Sequence, residues 1–419
     1  MSSMVKRVAV VVETSREYGR GVLRGIIRYE HEHGPWSIYF QPGGLGEPPP
    51  AWFRDWRGDG VLARADTPQL VEAVLAKQVP VVDLRLAFPE YRIPFVGVDN
   101  RLIVDLAFRH LLERGFSNFA FLGLSRRPKI WWAEQRGEYF TQLAEQAGGT
   151  CHVFQPRPTR DSHAIGEYDR EKLVAWVKGL PRPVAIMGCS DDCSLQVAEV
   201  CRVVGLRVPD DVAILGVDND EFLCNLSQPS MSSVDLGPER SGYQAAALLD
   251  EMMSGAKVNQ KEVFLPPIGV VARRSTDVIA IDDLELAGLI RYIREHACDG
   301  IRVEDAMRRS NLCVSTLQRR FKALLGRTPK EELLRVQFER AKQLLISTDL
   351  AIHEVADRCG FHEAKGLIAM FHSQIGMPPG AYRREARLGR GGMAQRGTPP
   401  PSETSRRQRA KSGGSAAHD

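Results

Sequence analysis

The sequence predicts an α/β protein of two lobes, followed by an all-α domain with two helix-turn-helix modules. Three observations lead there. Short β-branched runs alternate with amphipathic segments through about the first 270 residues, convincing strands stop at Leu284, and a pattern of short helix, turn and longer helix then occurs twice. Alternating strands and helices build parallel sheets covered on both faces. A chain of 419 residues exceeds what one core serves, and two sheets fit this length better than one very wide sheet.

In chain order, the strand-like runs are RVAVVV (7–12), DGVLA (59–63), VPVVDL (79–84), FAFLGL (119–124), VAIMG (184–188) and VAILGVD (212–218). Between them, GRGVLRGIIRYEHEHG, TPQLVEAVLAKQ and NRLIVDLAFRHLLERG carry helical periodicity. The passage between lobes is expected near Val98 to Arg101, with Leu102, Leu106, Phe108 and Leu112 on the helix that opens the second lobe. EVFLPPIGVVARRST is expected as one late strand returning near the hinge. These signals divide the chain into a sensing and dimerisation domain (1–273), a linker (274–283), a helical domain (284–388) and a disordered basic tail (389–419).

Charge follows the same division. Residues 1–283 hold 32 lysines and arginines against 37 acids, residues 284–383 hold 16 against 12, and residues 384–419 hold 8 against 3. A polyanionic partner is therefore sought in the last third. The eight cysteines are scattered, and Cys189, Cys193 and Cys201 lack zinc-ligand spacing and read as buried or half-buried thiols. No apolar run reaches membrane-spanning length and the amino terminus lacks a secretory pattern, which predicts a cytoplasmic protein with no membrane contact. Walker A, nucleophile-elbow and dinucleotide fingerprints are missing, so neither an enzyme nor a cofactor or metal site is expected. Asp191 and Asp218 could pair as in a glycosidase, but no further catalytic feature supports that.

The helical domain is read as helices at 284–296, 302–308, 314–325, 329–346, 351–357, 363–375 and 378–383. On the third of these helices, Leu317, Phe321, Leu324 and Leu325 face inward, leaving Ser315, Thr316, Gln318, Arg319, Arg320 and Lys322 as a polar, positive face sized for a major groove. In the second module Leu367, Ile368, Phe371 and Ile375 are expected to pack, with His362, Glu363, Lys365 and His372 toward DNA. The long helix between the modules, with Leu333, Leu334, Phe338, Ala341, Leu344 and Leu345, holds them together. Gly360 supplies the positive φ of the second turn and Gly376 ends the helix after it.

The runs IHEVADRCGF and FHSQIGMPPGAYRR, with the earlier FKALLGRTPKEEL, resemble the DNA-binding domain of the AraC family of transcription regulators over residues 284–384. GVDNDEFLCNLSQPSMSSVDLGPERSGYQAAALLD and LPPIGVVARRSTD are similar to LacI-type sugar-binding domains of periplasmic-binding-protein-like fold. The resemblance implies a homodimer that binds double-stranded operator DNA, contacts RNA polymerase and activates transcription when a small sugar, xylose or a related monosaccharide, occupies the cleft. Its second module departs from the family, in which Ser, Gln, Tyr or basic residues are usual, by carrying Glu363 and a helix-weakening Gly366 among His362, Ala364 and Lys365, which assigns it more to backbone positioning than to base discrimination.

For the sugar, carboxylates and arginines at strand ends are sought, since they match hydroxyl groups with multiple acceptors and a rigid donor fork. Asp191 and Asp218, with Asn219 beside the latter, follow two strands of the distal lobe and resemble acidic positions of LacI-type binders; Arg136 matches that family's arginine. Arg16, Tyr18, Asp83 and Arg85 follow strands of the proximal lobe, while Trp131 and its neighbour Trp132 are placed to stack on a ring. The alternative is a constitutive dimeric DNA-binding protein whose α/β domain serves only for oligomerisation or interaction.

Overall fold

The computed structural model describes residues 5–124, 131–155, 170–256, 262–277, 284–308, 313–325, 327–361 and 363–387. Most of the expected linker, the tail 389–419 and His362 lie outside them. The proximal lobe contains β1 (Lys6–Val11), α1 (Glu17–His33), β2 (Trp36–Phe40), β3 (Gly60–Ala63), α2 (Pro68–Leu75), β4 (Val81–Asp83) and β5 (Phe95–Val98). The chain then crosses through α3 (Asn100–Leu112) into β6 (Asn118–Leu122), α4 (Trp131–Gln146), β7 (Thr150–Phe154), α5 (Arg170–Gly179), β8 (Val184–Gly188), α6 (Asp191–Val204), β9 (Val212–Val217), α7 (Glu221–Leu226) and β10 (Ser232–Asp235). It returns through α8 (Pro238–Met253) and β11 (Glu262–Leu265), and crosses again to β12 (Gly269–Val271).

The proximal sheet runs β11-β5-β4-β3-β1-β2 with every pairing parallel. The distal sheet runs β12-β10-β9-β8-β6-β7, antiparallel only at β12. The single late strand expected over 262–276 is thus two strands in two different sheets. Pro266 and Pro267 cannot donate ladder hydrogen bonds, so the run breaks there and each half joins its own lobe. The glycines of GRGVLRG have a packing role: a Cβ at Gly25 would overlap the Glu239 carbonyl, and one at Gly242 the Val22 carbonyl, so α1 and α8 meet backbone to backbone.

The helical domain comprises α9 (Leu284–His296), α10 (Val303–Met307), α11 (Val314–Leu325), α12 (Pro329–Ser347), α13 (Ile352–Arg358), α14 (Ala364–Ile375) and α15 (Pro379–Arg387). Helix α12 starts with a capping box in which Glu331 N–H donates to Thr328 Oγ1 (3.2 Å) and Thr328 N–H donates to Glu331 Oε2 (2.6 Å). Its Leu333 packs with Leu317 and Phe321 in one core; its Phe338, Ala341, Leu344 and Leu345 pack with Val355, Leu367 and Phe371 in another. One rod therefore fixes two modules. Gly360 sits at φ +77°, and a Cβ there would press on the Ala297 carbonyl at 2.8 Å and on Gln337 at 3.0 Å.

Candidate functional site

The cleft lies where the carboxyl ends of both sheets face each other, the position at which open α/β sheets bind ligands. Of the residues sought from the sequence, Arg16, Tyr18, Arg85, Trp131, Arg136 and Asp218 line it, together with Trp132. Arg64, Asn100, Leu124 and Phe264 line it as well and were missed. Arg64 directly follows β3, so the same strand-end rule applied to DGVLA finds it.

Asp83, Asp191 and Asn219 are absent from this lining. Asp83 is buried and its carboxylate accepts from the backbone N–H groups of Ala65 (3.3 Å), Arg85 (3.1 Å) and Leu86 (2.7 Å), shaping the turn after β4. Asp191 is buried in the distal lobe, where it accepts from Ser233 Oγ (2.6 Å) and Asp220 N–H (2.7 Å) and ties the start of α6 to the segments after β9 and at β10. Burial, with the nearby Asp218 charge, pushes its carboxyl well above the ordinary range. Asn219 faces a separate groove, and its Oδ1 accepts from Arg273 Nη2 at 2.9 Å.

The distal wall of the cleft offers one arginine and one carboxylate, the proximal wall three arginines. On the distal wall, Arg136 donates to Asn100 Oδ1 (2.9 Å) and to the Cys189 carbonyl (2.7 Å), and its guanidinium lies 4.6 Å from the Trp132 ring centroid. Asp218 occupies φ +114°, a conformation strained for a side-chain-bearing residue and one that clusters at ligand sites. Burial raises its carboxyl to about 6, with Arg136 opposing the shift. On the proximal wall, Arg64 pairs with Glu13 and stacks over Tyr18 at 4.6 Å, while Arg16 bridges the lobes by pairing with Asp192. The space between the walls is about 70 Å³ and opens to solvent.

A second cluster joins the sensor to the helical domain. Glu113, just past α3, pairs with Arg335 (3.0 Å) and Arg327 (3.7 Å), and its carbonyl accepts from Arg294 Nη2 (2.7 Å). Glu332 on α12, fully buried, pairs with Arg294 (2.8 Å), Arg335 (2.8 Å) and Arg327 (3.4 Å). Burial alone would raise its carboxyl, but Arg335 and Arg294 hold it down to about 2. Nearby, His110 Nε2 and Arg114 Nε both reach Thr276, at 2.8 and 2.7 Å, anchoring the end of α3 to the last described residues before the helical domain.

On the helical domain, Ser315, Gln318, Arg319, Arg320 and Lys322 are exposed along α11 and Thr316 is half-exposed, with Leu317 and Phe321 buried beneath. Glu363, just before α14, and Lys365 and His372 on it are exposed. Ile368, expected inside, is instead 38% exposed: it is one position beyond the buried Leu367, on the outward side with Lys365 and His372. The YRR end of the signature is structural, since Tyr382 packs edge-on to Phe371 and Arg383 donates to the Leu350 and Leu345 carbonyls.

Residues 108–276 match the periplasmic binding protein-like domain family and residues 307–385 the helix-turn-helix domain family. A two-lobed sensor joined to twin helix-turn-helix modules defines a DNA-binding transcription regulator. The xylose operon regulatory protein of Escherichia coli strain K12 is 30% identical over 382 residues, spanning 90% of this chain and 96% of that protein. Its Haemophilus influenzae counterpart is 28% identical over 388 residues, spanning 91% and 99%. A solved structure of the xylose-binding transcription activator xylR superposes with a TM-score of 0.59 at 29% identity, covering 92% of this chain and 99% of that one. The chain belongs to the xylose operon regulatory protein family. Among the described residues, no helix is long and apolar enough to cross a membrane.

Proposed function

We propose that this regulator is an activator controlled by a monosaccharide held between the two lobes, and that α3 transmits occupancy to the DNA-binding modules. One observation carries the reading: the first residue of α3, Asn100, accepts from the cleft arginine Arg136, and the residue after its last turn, Glu113, is paired with Arg335 of α12. A rigid helix with one end in each site can bias two arrangements of the junction. Coupling then requires only that sugar and DNA prefer the same arrangement. Arg16, Tyr18, Arg85, Arg136 and Asp218 contact the sugar, with Trp131 and Trp132 against its ring. Arg319, Arg320 and Gln318 on α11 read base edges, while Lys365 and His372 hold phosphates and Ile368 offers an apolar contact to a thymine methyl group.

The active form is a cytoplasmic homodimer that also contacts RNA polymerase. The exposed Phe222 and Leu226 on α7, 73% and 56% accessible, give a face for the second copy, which sedimentation of Phe222→Asp would test by producing monomers. The coupling is tested by Glu113→Gln, measured as operator affinity with and without sugar. The variant is expected to bind both ligands and to lose most of a coupling on the order of 1–3 kcal/mol. A wild-type response to sugar in that variant removes α3 from the mechanism.

A further inference from the structure

The cleft contains more buried positive charge than it can pair. Arg16 has Asp192, Arg64 has Glu13, and Arg136 has Asn100, the Cys189 carbonyl and the field of Asp218. Arg85 differs. It follows β4, is 8% exposed and lines the cleft, yet among the described residues no carboxylate lies within ion-pair distance of it. Its side chain meets the Trp132 ring, 5.6 Å from guanidinium to centroid. Asp83, two positions earlier, has committed its carboxylate to three backbone amides. Burial and the neighbouring Arg64 push the Arg85 guanidinium down to about 10, which still leaves it charged at neutral pH.

Burying an unpaired cation is costly, and sugar hydroxyls do not neutralise one. A carboxylate does, through two parallel N–H···O bonds to the planar fork. Across the cleft, the Asp218 carboxylate accepts no hydrogen bond from the described residues and suits hydroxyl donors. A molecule spanning both walls therefore needs an anion at one end and hydroxyls at the other. Resting on the reading of the cleft as a sugar site, we propose that the effector is an acidic monosaccharide, a uronic or aldonic acid, whose carboxylate is received by Arg85. A phosphate dianion fits less well, because Asp218 would repel the second charge.

The test is calorimetric titration of the full-length protein with D-xylose, D-xylonate, D-gluconate, D-glucuronate, D-galacturonate and D-xylose 5-phosphate at one ionic strength. At least one sugar acid is expected to bind about tenfold or more tightly than D-xylose, the size of one charge-assisted contact. Arg85→Gln should erase that preference, lowering the affinity for the acid far more than that for D-xylose. The ligand-free variant should melt at or above the wild-type temperature, since an unpaired buried cation has been removed, an outcome that a structural ion-pair role would reverse. Arg85→Lys, which keeps the charge and loses the fork, should retain part of the preference. The proposal falls if D-xylose or its phosphate binds as tightly as the best acid, or if Arg85→Gln leaves the ratio of acid to neutral affinity unchanged. Preferred binding of D-xylose would leave the sugar-controlled reading standing; binding of no monosaccharide by the folded protein would remove both.

Discussion

Arginines are buried or half-buried in two regions of this molecule, under opposite electrostatic conditions. At the junction between sensor and helical domain, Arg294, Arg327 and Arg335 share the carboxylates of Glu332 and Glu113. In the cleft, Arg85 is more deeply buried but faces open space, and Asp218 opposite it carries a carboxyl raised by burial. A completed cluster lowers the free energy of one arrangement and fixes it. An incomplete cluster costs stability until a ligand completes it, which is why perturbed groups collect at binding sites.

The largest expected effect comes from breaking the completed cluster. Glu332→Ala leaves three arginines without their shared partner and should destabilise the protein by about 3–5 kcal/mol, read by thermal denaturation. The sign with pH is also fixed. A carboxyl at about 2 when folded and near 4.5 when unfolded contributes stability that is complete above pH 4.5 and is lost as pH falls through about 2. Glu332→Gln should remove that part of the acid transition; an unchanged acid profile would show that the cluster contributes nothing.

A smaller effect of opposite sign is expected on the incomplete side. The Asp218 carboxyl sits near 3.8 unfolded and is raised to about 6 in the fold, so stability declines as pH rises through that window. Asp218→Asn should raise the neutral-pH melting temperature and flatten this slope. It should also weaken sugar binding by roughly 1.5–3 kcal/mol, the worth of a charged hydrogen bond. A variant that is less stable at neutral pH and binds sugar normally would place Asp218 with the structural carboxylates.

The third comparison is with exposed charges on the helical domain, where water and salt screen what burial intensifies. Arg319→Ala should cost about 1–3 kcal/mol of operator affinity and relax the preference at one base position, while Lys365→Ala should weaken all sequences alike and reduce the salt slope by about 1. Fluorescence anisotropy over a salt series separates the two. Equal, sequence-independent losses would make α11 a phosphate-holding helix like α14.

Individual helices after residue 284 were legible almost to their ends. Expected helices at 314–325 and 363–375 are found at Val314–Leu325 and Ala364–Ile375, because helical periodicity and a glycine at positive φ are properties of neighbouring residues. The six recognised strand runs likewise follow from local apolar patterning, although β2, β5, β7 and β10 carried too weak a signal to be singled out. Side-chain destinations were less legible. Asp83, Asp191 and Asp218 all follow strands, yet the first two turn to nearby amides and a serine while Asp218 stays in the cleft.

What the amino-acid order determined alone was periodicity, turn chemistry and the concentration of positive charge toward the end of the chain. Which carboxylates are consumed inside, which arginine is left unpaired, and that Glu113 meets Arg335 were decided only when distant segments came together. Periodicity is set by bonded neighbours, whereas the energy of a buried charge depends on every group that folding brings within a few ångströms of it.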